Sequence, residues 1–183
     1  IMVSPDSLSR NVAIIATIFG AIALVLACVG VGTPNWQVTY TDPPNNTNVG
    51  STTNFFYTCI ININCLNNNQ LNTTSDYYNR LRNSAGLSIV GILFLAFGTI
   101  MTLVMALTNF YYSHLSGPIL LFLAALFMMA ALAEGARVLF YNGYAANLYE
   151  TGHLLTIFTL GFSAFASGRI QYSKAALTTP RVR

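Results

Sequence analysis

Charge is what this sequence has least of. Only 7% of its 183 residues are Asp, Glu, Lys or Arg, whereas 54% are hydrophobic. A soluble domain carries about 25% charged residues and covers its surface with them, so an ordinary soluble protein is excluded. The net charge of +3 is small and forms no basic face, which excludes a surface that tracks nucleic-acid phosphates. Histidine is also scarce, with only His114 and His153. The sequence holds no Ser/His/Asp set, no metal-ligand cluster and no Gly-rich phosphate loop. No enzyme, no cofactor and no bound metal are therefore expected.

What the chain has instead is apolar blocks, at about Val12–Val31, Ala85–Leu107, Ile119–Phe140 and Leu154–Gly168. A helix needs about 20 apolar residues to cross the hydrocarbon core of a bilayer. The blocks predict an all-α membrane protein, a bundle of four transmembrane helices at about 10–32, 85–107, 117–140 and 152–172, forming one domain. The first block exceeds the roughly 7–15 apolar residues of a signal-peptide core, so an uncleaved helix is expected there.

Lys and Arg near helix ends set orientation. Arg10 precedes the first helix, and Arg169, Lys174, Arg181 and Arg183 lie at or beyond the end of the fourth. Both termini are therefore expected in the cytoplasm, with Arg80 and Arg82 as a weak counter-signal on the other side. Residues 33–84 then form a long extracellular loop and 141–151 a short one. The sequons at Asn45 and Asn72 and the cysteines Cys59 and Cys65 all fall in the long loop. Glycosylation and disulfide formation both belong outside the cytoplasm. Cys28, inside the first helix, reads as a small buried apolar residue.

A loop this long is expected to be folded. Trp36-Gln37-Val38-Thr39-Tyr40 alternates large and polar residues, as a half-exposed strand does, and Cys59 to Cys65 repeats the alternation weakly. Asp42-Pro43-Pro44-Asn45-Asn46 marks a turn. The reading is a small extracellular antiparallel β-sheet in the first loop, stapled by Cys59–Cys65 because so small a sheet buries too little apolar area to hold itself. Phe55 and Phe56 would supply the rest of its core. Trp36 fits either that core or a place at the membrane interface.

Glu134 and Arg137 interrupt the third block. At about 1.5 Å per residue from Ser116 they come near the outer boundary, and three residues apart they share a face. An interfacial ion pair is expected. Small residues recur at Ala13, Thr17 and Ala21, at Gly91 and Gly98, and at Gly161, Ala164 and Gly168. Such faces let helices approach closely in lipid, mostly within the bundle itself.

Four spans with a long, cysteine-bearing first loop resemble the claudin superfamily, which includes claudins, peripheral myelin proteins and calcium-channel gamma subunits. Trp36 takes the place of that family's early Trp. Asn54-Phe55-Phe56, separated from Cys59 by two residues, resembles its Gly/Asn-Leu-Trp segment, with Phe56 in place of the Trp. Cys65 stands for the second cysteine, closer than is usual in the family, and Arg80 or Arg82 for the Arg before the second helix. The resemblance spans nearly the whole chain, and its specific part is this loop pattern. It implies a plasma-membrane protein that mediates cell–cell adhesion, a junction or a paracellular barrier by self-association. Alternatively, it implies an auxiliary subunit docked on a larger membrane protein such as an ion channel, receptor or transporter. Membrane lipids are expected partners in both cases. Between Gly32 and Asp76 the only charged residues are Asp42 and Asp76, too few for the charged ring of a selective pore.

Overall fold

The computed structural model describes residues 7–41, 48–60, 64–68, 75–108 and 113–178, with position 113 and positions 172–178 described by backbone alone. The two sequon asparagines, Asn45 and Asn72, lie outside the described residues, as do Ile61 and Ile63. The elements run α1 (Ser7–Gly32), β1 (Gln37–Tyr40), β2 (Val49–Thr53), β3 (Tyr57–Ile60), β4 (Asn64–Asn67), α2 (Asp76–Leu107), α3 (Ser113–Gly135) and α4 (Tyr144–Thr178).

Three of the four helices, α1, α2 and α3, are long and apolar enough to cross a membrane. The fourth block behaves differently, for a reason visible in its faces. Along α4, Thr156, Thr159, Ser163 and Ser167 are buried, while Leu154, Ile157, Phe158 and Phe165 point outward and are exposed. These four hydroxyl residues therefore dilute the hydropathy of the helix without meeting its surroundings.

The same inversion governs α1. Ser9, Ala13, Ala16, Gly20, Ala23, Ala27 and Gly30 are buried at alternating spacings of three and four. Ile14, Ile15, Ile18, Ile22 and Val25 are exposed. A water-soluble bundle puts its large aliphatics inside. Here small residues form the seam, which lets backbones approach closely.

The close approaches fix the helix directions. A Cβ on Gly98 would come within 2.9 Å of Leu121, and one on Gly91 within 2.8 Å of Met128, so α2 and α3 run antiparallel. A Cβ on Gly30 would meet the backbone of Tyr149 and Ala145, and one on Gly20 would meet Thr159, so α1 and α4 are antiparallel too. Helices α1, α2, α3 and α4 pack in that cyclic order. Inside, the Thr102 and Ser163 hydroxyls lie 3.0 Å apart and link α2 to α4.

Several helix boundaries differ from those expected: α1 and α3 start a few residues early, at Ser7 and Ser113, and α4 runs on to Thr178. Helix α2 begins at Asp76 rather than near 85, because Asp76-Tyr77-Tyr78-Asn79-Arg80 continues the helix as a polar first turn and a half beyond the apolar block. Arg80 and Arg82 are thus helical, not loop, residues. Helix α3 ends at Gly135 rather than near 140, leaving Arg137 just past its end. Helix α4 starts at Tyr144, before the block near 152.

The sheet is a four-stranded antiparallel meander in the order β1-β2-β3-β4. β2, Val-Gly-Ser-Thr-Thr, carries too little apolar alternation to be read as a strand. Its pairing with β1 slips between Thr39 and Tyr40, where Tyr40 faces Val49 and Thr39 faces Ser51. Gly50 is the extra residue of this bulge, and a Cβ there would come within 2.7 Å of the Thr41 side chain. Cys59 and Cys65 lie on two antiparallel strands, β3 and β4, rather than on one, and stand directly opposite each other.

Candidate functional site

The long loop and the helix ends meet in one buried aromatic cluster. Trp36 and Tyr149 are fully buried and Phe55 is 1% exposed. The Trp36 ring lies 4.2 Å from that of Phe55, 5.3 Å from Tyr141 and 5.4 Å from Tyr149. Its indole N–H donates to the Gly30 carbonyl at 2.7 Å, which satisfies an end-of-helix acceptor that α1 itself leaves unpaired. Trp36 is therefore a core residue, not an interfacial anchor. Pro34 follows shortly after α1 and cannot continue the helix, so the chain turns at once and delivers Trp36 back over the helix end.

Phe55 and Phe56 divide their roles. Phe55 packs against Trp36 with its ring tilted by 44° and fills the space over Gly135, where a Cβ would lie 2.5 Å from the Phe55 ring. Phe56, placed by the resemblance in the tryptophan position, is only half-buried.

Asn54 is the polar counterpart of Trp36. It is fully buried. Its Nδ2 donates to the Val31 carbonyl at 3.2 Å. Its Oδ1 accepts from the Phe56 and Tyr57 N–H groups at 2.8 and 2.6 Å, an Asx turn that reverses the chain between β2 and β3. Asn68 extends the cluster. Its Nδ2 donates to the Asn54 carbonyl at 2.9 Å and its Oδ1 accepts from the Thr58 hydroxyl.

The second loop clamps the free edge of β1. The Asn142 side chain accepts from the Val38 N–H at 2.8 Å and donates to the Val38 carbonyl at 2.9 Å, as a neighbouring strand would. The Gly143 N–H donates to the Trp36 carbonyl and the Ala145 N–H to the Asn35 carbonyl. A Cβ on Gly143 would overlap the Asn35 carbonyl oxygen, so only glycine fits there. Tyr141 donates its hydroxyl to the Leu132 carbonyl at 2.6 Å. Burial, together with the nearby Glu150 carboxylate, pushes the Tyr141 phenol above its ordinary range and keeps it a neutral donor. Sequence reasoning gives no sign of Asn68, Tyr141 or Tyr149. Asn142-Gly143 is a turn dipeptide, but its contact with β1 has no local signature.

Cys59 and Cys65 form a disulfide across β3 and β4. On the chain-entropy account, closing so short a loop stabilises by about 2–3 kcal/mol. The Cys59→Ala/Cys65→Ala variant should unfold more easily by that amount while keeping its helix content, read as thermal unfolding in detergent and far-UV circular dichroism. Non-reduced, denatured protein should titrate a single thiol, that of Cys28; three would refute the bridge. Cys28 is exposed on the outer flank of α1, not buried as its apolar neighbourhood in the sequence implies, because the seam of α1 runs through Ala27 and Gly30.

The charges collect at the sheet end of α2 and α3. Glu134 and Arg137 do pair, at 3.7 Å, but Glu134 binds Arg80 more closely, at 3.0 Å. Arg80 also holds Asp76 at 2.9 Å. Arg80 is thus the bridge between α2 and α3. Arg82 donates instead to the Tyr78 carbonyl and to the Asn79 side chain. A cleft of about 740 Å³ opens beside these residues, lined by Arg82, Glu134 and Arg137 above and by Gly86, Leu87 and Ala133 below. The histidines are both buried: His114 in the first turn of α3, and His153 with Nε2 3.2 Å from the Ala125 carbonyl oxygen. Among the described residues no group of His, Cys, Asp and Glu is arranged to hold a metal ion.

Among the described residues the four strands carry no charged side chain. They expose Tyr40 and Tyr57 on one face and Ile60 and Leu66 on the other. Compared with protein-family profiles and with curated proteins, the chain matches none.

Proposed function

We propose that this chain is a claudin-like integral membrane protein with four spans, and that its sheet mediates cell–cell adhesion, a junction or a paracellular barrier. The carrying observation is how the sheet is held and what it leaves exposed. It is tied down at β1 and at the β2–β3 turn through Trp36, Asn54 and Asn142. Its described strands carry no charged side chain and expose Tyr40 and Tyr57 on one face and Ile60 and Leu66 on the other. A tethered sheet with neutral, partly apolar exposed side chains is suited to protein contact rather than to ion selection or catalysis.

The fourth span is supported by the inward polar and outward apolar faces of α4. The orientation, with both termini cytoplasmic in the plasma membrane, is supported by Arg10 and Arg169 at the end away from the sheet and by Lys174, Arg181 and Arg183 beyond. Of the arginines at the sheet end, Arg80 is already paired with two carboxylates.

A second reading is an auxiliary subunit docked on a channel, receptor or transporter. It is favoured by the outer flank of α4, where Gly161, Ala164 and Gly168 are exposed and nothing lies within 4 Å of where a Cβ on either glycine would be. Another helix could pack closely there.

Purification from cells in mild detergent, followed by sizing and mass spectrometry, separates the two. The adhesion reading expects ladders of this chain alone and its enrichment where two expressing cells touch. A fixed complex with a large channel or receptor would replace it by the second reading. Loss of mass on glycosidase treatment, abolished in Asn45→Gln/Asn72→Gln, is the expected mark of an extracellular loop.

A further inference from the structure

The cleft between α2 and α3 is not used by the adhesion surface, and its chemistry is of two kinds. Its upper rim carries two guanidiniums, Arg82 and Arg137, and one carboxylate, Glu134. That carboxylate is already engaged: Oε1 takes Arg80 at 3.0 Å, and only Oε2, at 3.7 Å, is left for Arg137. Among the described residues no carboxylate pairs with Arg82, whose hydrogen bonds go to the neutral Tyr78 carbonyl and Asn79 amide. The Arg137 side chain is 64% exposed. The rim is therefore positive and under-neutralised.

Below the rim the walls change character. Gly86, one helical turn from Arg82, has nothing within 4 Å of where a Cβ would be. Leu87 and Ala133 continue the same walls. The outward flanks of α2 and α3 beyond them are apolar, with Ile89 and Val90 on α2 and Met129 and Leu126 on α3 exposed. A positive rim set directly above an apolar channel matches an anionic head joined to an acyl chain. Arginine suits the head, since its planar fork meets a phosphate through paired hydrogen bonds.

We propose that this cleft is a binding site for one anionic phospholipid, its phosphate held between Arg82 and Arg137 and an acyl chain laid past Gly86. The proposal rests on the membrane reading above. The site lies on the side of the α2–α3 pair, away from the sheet strands, so a lipid seated there leaves the adhesive surface free. It would brace the outer end of α2, which carries Arg80 and the link to Glu134.

Native mass spectrometry of the full chain in detergent, titrated with phosphatidylglycerol or with phosphatidylcholine, tests the site. The expected result is one retained phosphatidylglycerol in preference to phosphatidylcholine. In Arg82→Gln/Arg137→Gln its apparent affinity should fall on the order of tenfold, from the loss of two attractive charges. Gly86→Leu, which fills the channel and leaves the arginines intact, should also weaken retention, and the open space at Gly86 means the fold tolerates it. Equal retention of both lipids, or unchanged retention in both variants, would overturn the proposal, including the case in which the arginines instead hold an acidic segment of a partner protein. Flotation of the same preparations with phosphatidylcholine liposomes is run alongside. Protein that floats but shows no preference overturns the site alone, whereas protein that does not float overturns the membrane reading with it.

Discussion

Replacing Trp36 by alanine should lower the stability of the folded protein by about 3–5 kcal/mol, the range for emptying a fully packed aromatic site. The ring is completely buried against Phe55, Tyr141 and Tyr149, and its removal leaves a cavity where the first loop, α1 and α4 meet. Nothing nearby can collapse into it easily, because a Cβ on Gly30 or Gly143 would already touch backbone. Trp36→Phe separates the two contributions. It keeps most of the ring but removes the indole donor, leaving the Gly30 carbonyl without its 2.7 Å partner. That loss should amount to about 1–3 kcal/mol. Phe56→Ala is the contrasting control: Phe56 packs half-buried against the edge of the cluster, and its ring pairs with Tyr57, so it should be milder than either Trp36→Ala or Phe55→Ala. Midpoints of thermal unfolding in detergent give the order. If Phe56→Ala were the most damaging, the ring the resemblance assigns to the tryptophan position would be the important one, and the packing described above would be wrong. Trp36 is the only tryptophan, so its emission in the wild-type protein reports directly on whether this cluster is dry.

The expected helices and the sheet were readable to very different depths, and the reason lies in what each depends on. A long apolar run carries its own evidence, so α1, the apolar part of α2 and most of α3 appear from composition alone. Their ends do not, because Asp76 to Ser84 is helical through continuity with the apolar block and through Arg80, whose partners Asp76 and Glu134 are one turn away and on another helix. The outward placement of Gly161, Ala164 and Gly168 was also hidden. A small residue looks the same in sequence whether it faces a neighbouring helix, as Gly91 and Gly98 do, or open space. In the loop, Trp36 and the cysteines announce structure by their type. Asn54, Asn68 and Asn142 do not stand out in a loop crowded with asparagine, since only the partners across space distinguish a buried hub from a turn residue. Those partners lie as far apart in sequence as Val38 and Asn142.

Asn54→Ala should therefore be nearly as damaging as loss of the tryptophan, at about 3 kcal/mol, although it removes only a small polar group. Three backbone groups depend on that side chain: the Val31 carbonyl and the Phe56 and Tyr57 amides. Each buried group left unpaired costs about 1–3 kcal/mol, and because Phe56 is half-buried and Tyr57 exposed, water recovers part of that. Asn54→Asp distinguishes the donor from the acceptor. It retains an oxygen for the two amides but sets a second oxygen against the Val31 carbonyl, 3.2 Å away, and buries a charge where exposure is nil. It should be at least as unstable as the alanine variant. A mild effect of Asp would mean that the turn matters and the tie to α1 does not. The tie also bears on function. Asn54 joins the end of α1 to the β2–β3 turn, so its loss frees the sheet to tilt without disturbing the helices. Asn54→Ala should keep its far-UV helix signal at low temperature yet lose the ladder of self-association expected of the wild-type chain. Ladders that persist unchanged in this variant would mean that the contact is made by the helices rather than by the sheet.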